Sequence, residues 1–385
     1  MDFPGTRYKH DHRHTHADRL ERWIGKEACE NISLAMRNWY GPPVAIQGVP
    51  GAVFAAAGGD FIGEIRAGQE MSCWDRLELS LKRWKRHHHI AGRYSPAQLN
   101  AFASISAIVA AVTGGKAQRL VWRKTGVTGN ATGNSNELWT AVGTPAAGAA
   151  GAAAPGGTAT TNGTTGHMGW ANPVTANSGH FLRMDSSASV VNTLLVVDQL
   201  LRVAKTMNST ATEAVTGTFS RYQSQTATDE DYIGGNFMYP AVPATVLPAT
   251  AHNWTVCQYT DQGGNTAQSA PSVAGVSACV VGGIDLAVGQ GSWFMPLASG
   301  DTGVKALTQM QCSALVATGT IDFVVAHPIA FCPHYVINLL AIADGLYTAM
   351  QLTRVYDNAC LSLIEACKTA TTGTNYAGIL HIVAE

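Results

Sequence analysis

The chain has 385 residues, of which 46% are hydrophobic and only 13% are Asp, Glu, Lys or Arg. That is about half the ~25% charge of ordinary soluble domains, and it excludes a disordered chain, which needs low hydrophobicity and high net charge. The net charge of −1 conceals an asymmetry: residues 1–124 hold 18 of the 25 basic and 11 of the 26 acidic side chains, a balance of +7 against −8 for the remainder.

A basic segment joined to an acidic, charge-poor body reads either as a docking arm on a separate domain or as two parts of one molecule that attract each other. The N-terminus, MDFPGTRYKHDHRHTH, has no apolar run after its charges, so no secretory signal is expected. Residues 1–94 are expected to form a basic, partly helical docking arm. Within it, Ala17 to Trp39 approximates a helical stripe, Val44 to Gly68 looks irregular or strand-like, and Cys73 to His88 spaces Trp74, Leu77, Leu81 and Trp84 as one side of a basic helix.

Residues 95–124 predict a helix and a short strand. Ser95-Pro96 suits a helix start, Leu99, Phe102, Ile105, Ile108, Val109 and Val112 keep a 3.6-residue period, and Gly114-Gly115 stops it. This apolar stretch falls short of the ~20 residues that span a bilayer, so no membrane partner is expected. Lys116 to Lys124 then alternates as a basic strand with Leu120 and Trp122 on one face.

From 125 to 166 the composition turns to Gly, Ala, Thr and Pro, which predicts a linker or extended loop marking a domain boundary, able to lie across a neighbouring subunit. Residues 167–385 show short runs separated by Gly, Asn, Asp and Pro, the pattern of an all-β domain. The fold class expected is mainly β, an antiparallel two-sheet sandwich of jelly-roll type behind a mixed N-terminal arm. In Val304 to Ala314 the set Val304, Ala306, Met310, Cys312 and Ala314 should face inward, with Lys305, Leu307, Gln309, Gln311 and Ser313 outward. Ile321, Phe323 and Val325 repeat the alternation. Asn253 to Thr260 should pair with Thr266 to Val273 across Asp261-Gln-Gly-Gly-Asn265, and Cys360 to Cys367 with Tyr376 to Val383. Val336 to Met350 fits either a strand or a helix.

The residues do not spell out a catalytic constellation. GxSxG, HExxH and GxxxxGK[ST] are all missing, and Gly114-Gly115-Lys116 ends a helix where a phosphate loop would begin one. Asp229-Glu230-Asp231 reads as a solvated turn, and the spacing of His180, Asp185, Asp198 and His252 does not bring them together. His10, His12, His14 and His16 alternate, which places four imidazoles on one side of an extended chain. No carboxylate or cysteine at fixed spacing completes a metal shell, so they read as a polar arm. His87, His88 and His89 read as surface groups. The eight cysteines lack CxxC spacing and are expected to be mostly buried thiols, with one or two bridges if the protein meets an oxidising medium. The Trp74/Trp84 helix fits a core better than stacked nucleobases. Trp170, Tyr239, Trp254 and Trp293 are expected more as core or interface anchors than as sugar platforms. The expectation is no enzyme, no catalytic, cofactor or metal site, no cofactor, and no nucleic-acid partner.

Three segments carry a resemblance. VDQLL at Val197 to Leu201, the hairpin YTDQGGNTA at Tyr259 to Ala267, and LASGDTGVKA at Leu297 to Ala306 follow one another downstream of a Gly/Ala/Pro-rich tract. In that order they resemble the YDRLW-like, YTNQDG and AGDTGVRSV segments of a group of virion structural proteins of tailed bacteriophages. VDQLL departs in its aromatic and Arg, and Lys305 replaces an Arg. The resemblance covers roughly residues 95 to 385. It implies a virion component assembled in the bacterial host cytoplasm, without enzymatic residues. A capsid decoration or cement protein bound to the major capsid protein through its N-terminal region is expected. The alternative is a collar, tail or fibre-associated protein with a glycan-binding outer face. A homo-oligomer follows, and a trimer would fit local three-fold symmetry.

Overall fold

The computed structural model describes residues 102, 104–129, 133–223, 235–288, 292–317, 319–346, 352–366 and 374–385. The expectations for the docking arm, the alternating histidines, Trp74, Trp84, His87 to His89, Asp229 to Asp231, and Cys29, Cys73 and Cys367 lie outside them.

Among the described residues one helix precedes a long series of strands. The helix is α1 (Ile105–Thr113). The strands are β1 (Ala117–Thr125), β2 (Asn136–Glu137), β3 (Gly143–Thr144), β4 (Ala152–Ala153), β5 (Thr158–Ala159), β6 (Gly179–Ala188), β7 (Asn192–Thr206), β8 (Glu213–Ala214) and β9 (Phe237–Ala241). There follow β10 (Asn253–Asp261), β11 (Gln268–Ser269), β12 (Val273–Ala274), β13 (Val304–Cys312), β14 (Thr320–His334), β15 (Leu340–Asp344), β16 (Arg354–Val355), β17 (Cys360–Ala366) and β18 (Asn375–Ala384).

The fold is mainly β and antiparallel, as expected, with its strands distributed over three sheets rather than two. One runs β15-β6-β18-β1-β3 with β16 beside β6; another runs β11-β10-β13-β8 with β12 beside β10. The third runs β2-β17-β7-β14-β9, with β4 and β5 also on β7. The centre is the long antiparallel pair β7 and β14, joined from Asn192↔His334 to Thr206↔Thr320. Ile321, Phe323 and Val325 are fully buried, and so are Asp322 and Val324 between them. Both faces of this strand are therefore covered, which a simple sandwich strand does not show. Pro328 falls at one of the pair's two irregularities, where a missing N–H is tolerated.

The helix starts later than the sequence predicts. Ser104, extended at φ −165 and ψ 164, caps it by accepting a hydrogen bond from the Ala107 amide, and Gly114 ends it. Its apolar stripe is only half used: Ile108 and Ala111 are buried, whereas Ile105, Val109 and Val112 are exposed. In β1 the expected face is present, with Leu120 and Trp122 buried, and Lys124 joins them.

The small-residue tract is an extended loop laid over its own chain rather than a free linker. Ala152 and Ala153 pair with Val203 and Ala204, and Thr158 and Ala159 pair with Arg202 and Leu201. Small side chains are what permit this. A Cβ on Gly148 would lie 2.0 Å from Trp139 Cε2, and one on Gly151 2.8 Å from the Arg202 carbonyl oxygen.

Two local expectations are corrected, and one left open between strand and helix is decided. Cys360 to Ala366 and Asn375 to Ala384 do not pair with each other: β17 joins β7, while β18 joins β1 and β6 in a different sheet. The register of β13 against β10 shifts at three places, which turns Leu307 inward and leaves Ala306 half-buried. Val336 to Met350 is not a helix where it is described, since Leu340–Asp344 is strand β15 along β6. The hairpin of β10 with β11 and β12 forms as predicted. Asp261 holds its turn, accepting hydrogen bonds from the Asn265 amide and side chain at 2.8 and 2.7 Å. These bonds, the side-chain one foremost, hold the Asp261 carboxyl below the usual range.

Candidate functional site

The polar groups that sequence inspection singles out are used inside the fold. Asp198, buried in β7, accepts a two-pronged contact from Arg221 at 2.8 and 2.9 Å and a third hydrogen bond from the Cys360 amide at 2.7 Å. Asp185 sits on β6, bound by Arg183 Nε at 2.8 Å with His381 Nε2 at 3.3 Å. His180 is buried with its Nδ1 on the Ser178 carbonyl at 2.9 Å. Burial, reinforced by the Arg354 charge, lowers its pKa to about 4. His252 lies beside β10, its Nδ1 on the Thr250 carbonyl and its Nε2 2.8 Å from Asp285. Burial opposes its charged form, but the Asp285 contact outweighs burial and raises the pKa. These four residues keep separate partners, so they assemble no shared site.

The largest polar cluster was not legible in the sequence. Arg202, 1% exposed, donates in a fork to both Glu137 oxygens at 2.9 and 2.8 Å and to Asp322 Oδ2 at 3.0 and 2.9 Å. Its guanidinium also reaches Gln199 and lies 5.2 Å from the centre of the Trp139 ring. Burial alone would weaken the cation; the carboxylates, Glu137 foremost, reverse that and raise the arginine's pKa. Asp322 Oδ2 further accepts from the Gly151 amide, and Trp139 Nε1 donates to the Ala149 carbonyl, so the cluster also fastens the small-residue tract. A second buried set joins Glu365 to Asn136, Asn192 and Tyr376.

Two of the three resemblance segments meet. Tyr259 donates its hydroxyl hydrogen to Asp301 at 2.7 Å and accepts from the Ala298 amide at 2.7 Å, while Gln262 accepts from the Thr302 and Gly303 amides. Burial, followed by the Asp301 contact, pushes the Tyr259 phenol up to about 12.

The five described cysteines, Cys257, Cys279, Cys312, Cys332 and Cys360, are free and buried. Burial pushes the Cys360 thiol up to about 12 and raises the others, which makes them poor nucleophiles. Among the described residues no group of three or more His, Cys, Asp or Glu is placed to hold a metal ion, and no helix is long and apolar enough to cross a membrane. Trp170, Tyr239 and Trp254 are buried and unavailable to a sugar in this structure; Trp293 is half-buried against Phe237, Phe294 and Phe331.

What the described surface does offer is apolar. Tyr335 to Leu346 carries seven exposed large apolar residues over a turn and β15, the end strand of its sheet. On the outer face of that sheet, Val121 of β1 and Ile342 of β15 stand in one row with Asp185 and Ile379 between them.

No family model and no curated protein matches the chain. Among solved structures, a chain from the infectious bursal disease virus Gt strain aligns over 70% of this chain and 81% of its own length, at 10% identity and a TM-score of 0.13. A score that low does not establish a shared fold.

Proposed function

We propose that the chain is a structural component of a tailed-phage virion, a decoration or cement protein that joins the shell through residues 1–94. It is not an enzyme. The observation that carries this reading is the use made of the resemblance segments: Tyr259 and Gln262 of one fasten Asp301, Thr302 and Gly303 of the other. Polar residues that would carry chemistry in an enzyme are spent here on holding loops in place. A repeating shell also turns weak contacts along an extended arm into firm attachment, because each contact raises the effective concentration of the next.

Densitometry of purified particles tests the proposal. A decoration protein is present at a copy number comparable to the shell protein, whereas a collar, tail or fibre part is present in far fewer copies. Absence from mature particles overturns the virion reading. Deleting residues 1–94 should leave a soluble β-domain that no longer joins particles; full incorporation of the shortened chain would remove the docking arm from the account.

A further inference from the structure

Two arginines stand on one strand without a counter-charge. Arg119 and Arg123 point outward from β1 and are exposed, with Val121 between them at 69% exposure. Among the described residues neither guanidinium has an ion-pair partner. By contrast, Arg183 is paired with Asp185, Arg202 with Glu137 and Asp322, Lys205 with Glu213, and Arg221 with Asp198. Across the outer face of the sheet Arg119 stands opposite His381, and His381 opposite Arg183, so two guanidiniums and an imidazole share one row. The carboxylates of that face, Asp185 and Asp344, lie on β6 and β15, with β18 between them and β1, and both are engaged: Asp185 by Arg183 at 2.8 Å and Asp344 by the Leu346 amide at 2.9 Å. The backbone of β1 is also open on one side. β18 pairs with it along its whole length, whereas β3 meets its other edge at Arg123 and Lys124, and among the described residues no strand lies beside Ala117 to Trp122 on that side.

We propose that this edge of β1 takes one further strand, supplied by an extended acidic segment of a neighbouring protein, with carboxylates opposite Arg119 and Arg123 and an aliphatic residue opposite Val121. An edge strand offers an incoming chain its main-chain hydrogen bonds, and the side chains beside that edge choose which chain is accepted. From Arg119 to Arg123 is ~13 Å along an extended strand. Side chains on one face recur every second residue, so the segment selected reads acidic-x-aliphatic-x-acidic. A nucleic-acid strand carries a phosphate every ~3.4 Å and fits this face poorly, because its phosphates would fall on Val121 as well as on the arginines. The same two charges turn away a basic segment, which makes the edge selective. The contact lies on β1, outside residues 1–94, so it goes beyond the attachment assigned to that arm. The two fail separately: particle composition decides one, and peptide binding by the purified chain decides the other.

The test is fluorescence anisotropy of the labelled heptapeptide Thr-Glu-Thr-Val-Thr-Glu-Thr, titrated with the full chain at low salt. Beside it run the isomer Thr-Thr-Glu-Glu-Val-Thr-Thr and a single-stranded DNA oligonucleotide. The proteins compared are the wild type, the double variant Arg119→Glu, Arg123→Glu, and the control Lys305→Glu, which alters a cation on β13. The wild type and control should bind the first peptide in the micromolar range, and the isomer and the DNA at least about tenfold more weakly. The double variant should lose at least about tenfold in affinity for the first peptide while its melting temperature stays unchanged. If it unfolds, Arg119→Gln, Arg123→Gln replaces it. A wild type that does not bind the first peptide overturns the proposal. So does equal binding by the folded double variant, which retains the basic residues 1–94, or equal binding of the isomer or the DNA by the wild type.

Discussion

The hydroxyl of Tyr259 stands 2.7 Å from Asp301 and is itself the acceptor for the Ala298 amide, so one phenol closes the loop between β12 and β13 onto β10. Tyr259→Phe keeps the ring and removes both bonds. The expected cost is about 1–3 kcal/mol, because Asp301 and the Ala298 amide lose their shared partner. Urea denaturation should show a lower midpoint with an unchanged slope.

Arg202 carries more. Arg202→Met leaves Glu137 and Asp322 buried without their cation, and the expected loss is about 3–5 kcal/mol. The same change should loosen the small-residue tract, since Asp322 also holds the Gly151 amide. Calorimetric melting measures the first effect and limited proteolysis between residues 143 and 166 the second.

Gly148→Val tests the docking of that tract in isolation. The added atoms would enter the Trp139 ring, and overpacking of this kind costs about 1–3 kcal/mol. The variant should keep the β7 and β14 core, seen as retained far-ultraviolet circular dichroism, while gaining protease cleavage in the tract.

Replacing Ile321, Phe323 and Val325 together with Ser should prevent folding. All three are fully buried, and each loses roughly 1.5–3 kcal/mol of burial. An unchanged melting curve would contradict the central place of β14.

Acid should destabilise the protein in a defined window. His180 and His327 have pKa values lowered to about 4 and about 3, by burial in both and by Arg354 in the first. The unfolded chain therefore binds more protons as pH falls below 6.5, and stability drops between pH 6.5 and those values by about 3 kcal/mol or more per histidine. His252 has the opposite sign: its raised pKa adds stability that is fully present below pH 6.5 and fades as pH climbs through the folded value. Melting temperature against pH, compared for the wild type and His327→Gln, should show a shallower acid limb in the variant.

Local periodicity made β1, the β10 hairpin and the burial of Ile321, Phe323 and Val325 legible, because each depends on alternation within a few residues. It failed where distant chain decides. β17 and β18 are both strands, yet their membership of different sheets is set by β7, β1 and β6, far away in sequence. The inversion at Leu307 depends on slips against β10 that alternation alone does not reveal. The tract from 125 to 166 looked too poor in apolar surface to be ordered, but Arg202, Asp322 and Trp139 supply the fastening from outside it. The apolar patch was missed for the same reason: Val336 to Leu346 reads as any hydrophobic run, and only the end position of β15 leaves it uncovered.

The union of β7 with β14 also governs the order of events during synthesis. Arg202 and Asp322 are 120 residues apart in the chain, so the middle of the molecule cannot close until β14 has left the ribosome. Non-local pairing of this kind is slow. Until then β7, whose residues are nearly all buried in the finished fold, must wait without its partner. Nascent chains should therefore be most dependent on chaperones while translation runs between these two strands, and most prone to aggregate if it stalls there.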